Sequence, residues 1–174
     1  MKYILQLILF FSLTSLFSQK VNVENIEILR DSFGVPHIYA KTDAELAYGL
    51  AWAHSEDDFK TIQEAYLAGN GLLSKHIGLR GAPADFLTQL IRSDHIVDSL
   101  YHTIDKNFLK VIEGYAQGIN RFAELNPDQI LVKKLFPITT KKMIRYSFLQ
   151  LFISSEGDDF IRTIVEILLE KYLF

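Results

Sequence analysis

The sequence predicts an α+β fold that is mainly helical, with one strand pair near its N-terminus. Three observations predict it. A β-branched and aromatic stretch brackets a Ser32-Phe33-Gly34 turn, a helical period of apolar residues takes over at Thr42, and that period returns in blocks almost to the C-terminus. The composition, 49% hydrophobic and 22% charged, is that of a globular chain rather than a disordered or fibrous one. A net charge of -3 over 174 residues leaves no basic footprint, so no nucleic-acid partner is expected. The chain has no cysteine, which removes disulfides, thiolate metal sites and a cysteine nucleophile. Its stability must come from packing.

Lys2 supplies a positive start, and Ile4 to Phe17 form an apolar run broken only by Gln6, Ser12, Thr14 and Ser15. Ser18 then places a small residue before a cut at Gln19, so residues 1–18 read as a secretory signal peptide. The alternative is an uncleaved N-terminal anchor. The run falls short of the roughly 20 apolar residues a membrane span takes, so no stable span is expected and the destination is secreted or periplasmic. Residues 19–174 form the remaining region, of single-domain size.

Val21, Val23, Ile26 and Ile28, then Val35 to Ala40, predict two strands of a hairpin. Pro36 has no N–H to donate, so the second strand starts there or lies at an edge. Thr42 or Asp43 caps a helix whose expected apolar face carries Leu46, Leu50 and Ala53, with Ala47 and Ala51 beside them. Ser55 and Asp58 are capping residues for a continuation that uses Phe59, Ile62, Tyr66 and Leu67, and Gly69-Asn70-Gly71 stops it. Leu72 to Ile77 suit one or two helical turns and Gly78 to Pro83 a loop. Phe86, Leu87, Leu90 and Ile91 follow at helical spacing, with Ile96, Val97 and Leu100 less regular.

Phe108, Ile112, Tyr115, Ile119 and Phe122 form the clearest amphipathic stripe in the chain. Gly114 and Gly118 lie within that helix, each costing about 1 kcal/mol relative to alanine. Their spacing puts both on one flank, where another backbone can approach. Asn126-Pro127 ends the helix. Pro137 and Thr139-Thr140 start another that runs through Met143, Ile144, Phe148, Leu151 and Phe152, interrupted at Ser154 to Asp159. Phe160 to Phe174 is apolar on most of its girth, so either this chain or a partner must cover it.

Several polar groups invite a functional reading and have a structural alternative. His54, Glu56, Asp57 and Asp58 are compressed into about one helical turn, which converges poorly on a metal and suits acidic stabilisation of a helix start. Arg30 suits an ion pair fixing its strand to the Glu56 region. His37, in an alternating strand, reads as a packed, hydrogen-bonded histidine rather than a general base.

Five ordered segments together resemble the penicillin acylase family of N-terminal-nucleophile hydrolases: Ile28-Leu29-Arg30-Asp31, Gly34-Val35-Pro36-His37-Ile38, Tyr48-Gly49-Leu50-Ala51-Trp52-Ala53-His54-Ser55-Glu56-Asp57, Gly71-Leu72-Leu73 and Glu113-Gly114-Tyr115-Ala116-Gln117-Gly118-Ile119-Asn120. The likeness is to the branch of acyl-homoserine-lactone and aculeacin acylases and runs over about residues 24–160. It implies an exported precursor that cuts itself into a small α chain and a larger β chain, with an αββα sandwich in the whole enzyme. The new N-terminal serine of the β chain would cleave an amide, its own α-amino group acting as base at a pKa of about 7.7–8.0. A β-chain oxyanion hole would hold the intermediate. The visible sequence corresponds to the α chain, so no catalytic residue is expected in it, and residues 19–174 alone are expected to be inactive.

The resemblance also assigns a substrate-facing surface. Tyr146, Leu149, Gln150 and Ile153 share one helical face, and the corresponding helix of the family borders the acyl pocket; the alternative is plain core. The Glu156-Gly157-Asp158-Asp159 cluster offers hard oxygen ligands, and in penicillin acylases one α-chain glutamate reaches a calcium alongside β-chain ligands. Glu156 is therefore the metal candidate, against acidic capping of the last helix. The reaction needs no cofactor, and structural calcium is the only ion the resemblance suggests. The expected partners are the β chain of the same precursor and a small N-acyl substrate: an acyl-homoserine lactone, a lipopeptide or a β-lactam side chain. A second class of function stays open, a non-catalytic secreted helical module or an inactive remnant.

Overall fold

In a computed structural model of the chain, residues 20–157, 159, 162 and 163 are described. The signal-peptide segment 1–18 and most of the apolar stretch 160–174 lie outside the described residues. Strands β1 (Glu27–Arg30) and β2 (Pro36–Tyr39) form an antiparallel pair in which Ile28 faces Ile38 and Arg30 faces Pro36. The Asp31 carboxylate builds the turn by accepting the Phe33 and Val35 N–H groups at 2.8 and 3.0 Å. The second strand begins at Pro36, where no ladder N–H is lost. Val21 and Val23 do not extend the first strand, because Val23–Asn25 winds into a 3-10 turn capped by Asn22.

Helix α1 (Asp43–Gly69) is the axis of the fold, capped by the Thr42 hydroxyl, which accepts the Glu45 N–H at 3.3 Å. Asp58, with φ -157° and ψ 71°, breaks it in the middle and caps the second half by accepting the Thr61 N–H at 3.0 Å. A short α2 (Ser74–Ile77) and a 3-10 turn (Gly78–Gly81) follow, then α3 (Ala82–Leu90) and α4 (Ser93–Leu100). Arg92 separates α3 from α4 in a left-handed conformation, φ 50°, which is why the apolar period over residues 86–100 loses regularity. The long α5 (Lys106–Leu125) and α6 (Thr140–Phe152) complete the described helices, and α6 passes into a π-helical turn, Ile153–Gly157.

Packing of α1 against α5 makes the core, and the two glycines explain how. A Cβ at Gly118 would lie 2.5 Å from the Tyr48 carbonyl oxygen and 2.8 Å from Ala51 Cβ, and one at Gly114 would run into the Ala44 carbonyl. The axes therefore approach closely, and Leu67, Ile119, Leu135 and Ile138 are buried around the junction. Phe122 meets Phe59 edge to face at 4.9 Å and Trp52 at 5.4 Å.

Irregular segments are held by side-chain amides, one buried and one half-buried, that imitate a strand partner. Asn120 donates to the Ile138 carbonyl at 2.8 Å and accepts the Ile138 N–H at 2.7 Å, while Gln63 does the same across Gln129 and Leu131 at 3.0 and 2.9 Å. This satisfies backbone groups that no sheet reaches.

Two expectations about α1 and the hairpin need correction. Leu46 and Leu50 of the expected face are 43% and 38% exposed, while Ala53 of that face is buried together with Ala47 and Ala51 beside it. The close helix–helix contact selects small side chains, so the large ones turn outward. His37 is exposed rather than packed, because the strand alternation turns it to the outer face beside Leu29, where it lies 3.4 Å from the Asp31 carboxylate.

Candidate substrate-facing site

The Glu56 region is structural in the described chain. Arg30 reaches Glu56 at 3.2 Å and Asp57 at 2.9 Å, locking β1 to α1, and Trp52 donates its indole N–H to Glu56 at 2.9 Å. The hydrogen bonds to both carboxylates raise the Arg30 pKa further. His54 turns away and pairs with the Tyr115 hydroxyl at 2.9 Å. Among the described residues no group of three His, Asp or Glu side chains is placed to hold a metal.

The face of α6 carrying Tyr146 is built from below. Thr139 caps the helix by accepting the Lys142 N–H at 3.3 Å, and the Lys142 ammonium donates to the Leu135 and Pro137 carbonyls at 2.5 and 2.9 Å. Burial lowers the Lys142 pKa, and the neighbouring Arg145 charge adds to the effect. Gly69 at the end of α1 lies against the Tyr146 backbone, with no room for a Cβ between them. That contact sets Tyr146 edge to face on Tyr66, ring centroids 5.3 Å apart. Burial pushes the Tyr66 phenol well above its ordinary range and raises that of Tyr115 as well.

The four substrate-facing candidates divide by environment. Gln150 donates to the Tyr146 hydroxyl at 2.7 Å, joining two of them into one polar unit on an exposed part of the helix. Ile153 is 46% exposed where the π-helical turn begins, and Leu149 is buried at 4% exposure. The backbone of Glu156 belongs to that turn, but its side chain lies outside the described residues, as does Asp158. Asp159 is exposed and lies 3.8 Å from Arg162.

No nucleophile and base meet on this face among the described residues. The Ser147, Ser154 and Ser155 hydroxyls each donate to a carbonyl of the preceding turn, at 3.2, 3.1 and 3.2 Å. What the arrangement offers is a wall: aromatic, partly apolar, with one amide and one phenol at its surface. Tyr66 and Gly69 make the other half of this wall, although in the sequence Tyr66 shows only as part of an apolar helical face and Gly69 only as part of a helix stop. A polar cleft also opens beside Asn70 and Arg145, and the Gly69-Asn70-Gly71 turn is its one mark in the sequence.

A helical layer over one antiparallel strand pair, built on the close packing of α1 and α5, is a fold shared with a penicillin acylase structure. The structure of thermostable penicillin G acylase from Alcaligenes faecalis matches with a TM-score of 0.65 at 18% identity, over 84% of this chain and 84% of that one. The penicillin amidase profile matches residues 25–153, and the chain belongs to that family. Among curated relatives, acyl-homoserine lactone acylase PvdQ of Pseudomonas syringae pv. syringae is 26% identical over 68% of this chain. Penicillin G acylase of Escherichia coli is 25% identical over 88% of it. The chain spans 17% and 19% of the length of these two relatives. No described helix is long and apolar enough to cross a membrane.

Proposed function

We propose that this chain is the α-chain portion of an exported acylase that hydrolyses the amide bond of N-acyl substrates, with the serine nucleophile supplied by a β-chain-type polypeptide. The family match over residues 25–153 carries the reading, and the relatives' names, acyl-homoserine lactone acylase and penicillin G acylase, set the substrate range. The surface supports it: Leu46 and Leu50 on α1, with Leu29, Phe33 and Val35 of the hairpin, are exposed, a surface suited to cover by further polypeptide. Tyr146, Leu149, Gln150 and Ile153 are the residues assigned to the acyl group. No cofactor enters the chemistry, and Glu156 is assigned to a structural calcium shared with the β-type partner.

The test is to express the gene product together with a β-type continuation and measure acid released from an acyl-homoserine lactone, a lipopeptide and a β-lactam with an N-acyl side chain. Release from at least one substrate by the pair, and none by residues 19–174 alone, is expected. Activity of the isolated chain would overturn the assignment of the nucleophile, and an inactive pair would favour the non-catalytic module.

A further inference from the structure

We propose that the outer face of α3, with the 3-10 turn that leads into it, rests on the surface of an anionic lipid bilayer. Leu79, Pro83, Phe86 and Leu90 follow one another at steps of four, three and four, the spacing of a single helical stripe. All four are exposed, Leu79 at 89% and Phe86 at 66%. Large apolar side chains gathered on one outer face mark an interaction surface, unlike the same residues scattered singly.

The side that α3 turns inward is polar. Asp85 and Thr88 are buried, at 7% and 6% exposure. Asp85 accepts the Leu73 and Ser74 N–H groups at 2.7 and 2.9 Å, and Thr88 donates to the Ala68 carbonyl at 2.9 Å. These bonds satisfy backbone groups at the end of α1 and the start of α2, and they fix the rotation of α3 about its axis. The helix cannot turn its stripe inward without orphaning them.

Charge selects the partner. Between residues 72 and 92 the sequence sets Lys75, Arg80 and Arg92 against one carboxylate, Asp85, which is the group turned inward. Lys75 and Arg80 are exposed and in no ion pair among the described residues. Apolar side chains flanked by unpaired cations suit hydrocarbon lying behind negative headgroups. A second copy of the chain fits less well, since a twofold contact through the stripe would bring both sets of cations together. The surface assigned to the β-type partner lies elsewhere: the hairpin joins α1 at Glu56 and Asp57, whereas α3 joins it at Ala68.

The chain has no cysteine, so a single one introduced by Leu79→Cys or Phe33→Cys can carry a nitrobenzoxadiazole label, whose emission shifts to the blue on leaving water. Phe33 is 91% exposed at the hairpin turn and serves as the control. The full chain is titrated with vesicles of phosphatidylcholine alone and of an equimolar mixture with phosphatidylglycerol. The label at 79 should shift saturably with the mixed vesicles, need at least about tenfold more phosphatidylcholine, and recover its aqueous emission in high salt; the label at 33 should not shift. Phe86→Ser and Arg80→Glu change exposed side chains, so both should keep the helical circular dichroism and weaken the response at 79 by at least about tenfold. Several results would overturn the proposal: no shift at 79, an equal shift at 33, equal response to both vesicles, or an unchanged response in both variants. So would a shift without lipid that grows with protein concentration, which would assign the stripe to a second copy, or one produced by a β-type partner that then abolishes the response to lipid.

Discussion

Replacing Gly114 or Gly118 by alanine sets two known effects against each other. Alanine favours an isolated helix by about 1 kcal/mol over glycine, so an exposed α5 would gain stability. Here the new methyl group of Gly114→Ala meets the Ala44 backbone, and that of Gly118→Ala would lie 2.5 Å from the Tyr48 carbonyl oxygen. Backbone atoms cannot rotate aside, so α1 and α5 must separate. Overpacking of this sort costs about 1–3 kcal/mol, and the contact with rigid atoms places these sites toward the upper end. A net loss of about 1–2 kcal/mol per site remains, or roughly 2–8 °C in Tm for a domain of this size. Thermal unfolding by circular dichroism measures it, with Lys110→Ala on the exposed face of the same helix as the control. A rise in Tm for Gly114→Ala would refute the close-packing argument, because it would mean that propensity alone governs the site.

Asp85 is 7% exposed and accepts the Leu73 and Ser74 N–H groups at 2.7 and 2.9 Å, with the Ser74 hydroxyl beside them. Asp85→Ala orphans those donors and should destabilise the chain by about 2–4 kcal/mol in urea unfolding. Asp98 behaves differently because it is exposed. Its carboxyl is held below the ordinary range, first by the hydrogen bond from Lys141 and then by the charges of Lys141 and Arg145. A depressed folded pKa stabilises above the unfolded carboxyl value, about 3.9, and the contribution disappears as pH falls through the folded value. Asp98→Asn should therefore lower Tm at pH 7 and make little difference below the folded pKa, as a Tm series against pH will read. Arg30→Met removes the link from β1 to Glu56 and Asp57; amide exchange should quicken at Ile28 and Ile38 while α5 amides keep their protection.

The elements that were legible in the sequence are those fixed by local chemistry. Thr42, Asn126-Pro127 and Thr139 mark helix ends where the structure has them, because a capping hydroxyl or a proline acts within one turn. Gly114 and Gly118 announced a close backbone approach because nothing else justifies two glycines on one flank of a good helix. The Arg30 pair was legible because an arginine on a short strand and two carboxylates on the next helix have few other partners. Periodicity misled where tertiary packing decides: Leu46 and Leu50 repeat as a buried face should, yet the glycine-mediated contact selects the alanine side of α1. The α6 face was legible as a face, but its hydrogen bond from Gln150 to Tyr146 and its edge contact with Tyr66 depend on where α1 ends. The cleft beside Asn70 was illegible, since three segments distant in sequence build it.

The central claim is that amide hydrolysis needs a nucleophile this chain does not itself provide. Its most direct test measures acid release from N-acyl substrates by the purified chain, by a β-type polypeptide with an N-terminal serine, and by the two assembled together. Hydrolysis by the assembled pair that disappears when the terminal serine is replaced by alanine is the predicted result; equal turnover by the purified chain alone would contradict it.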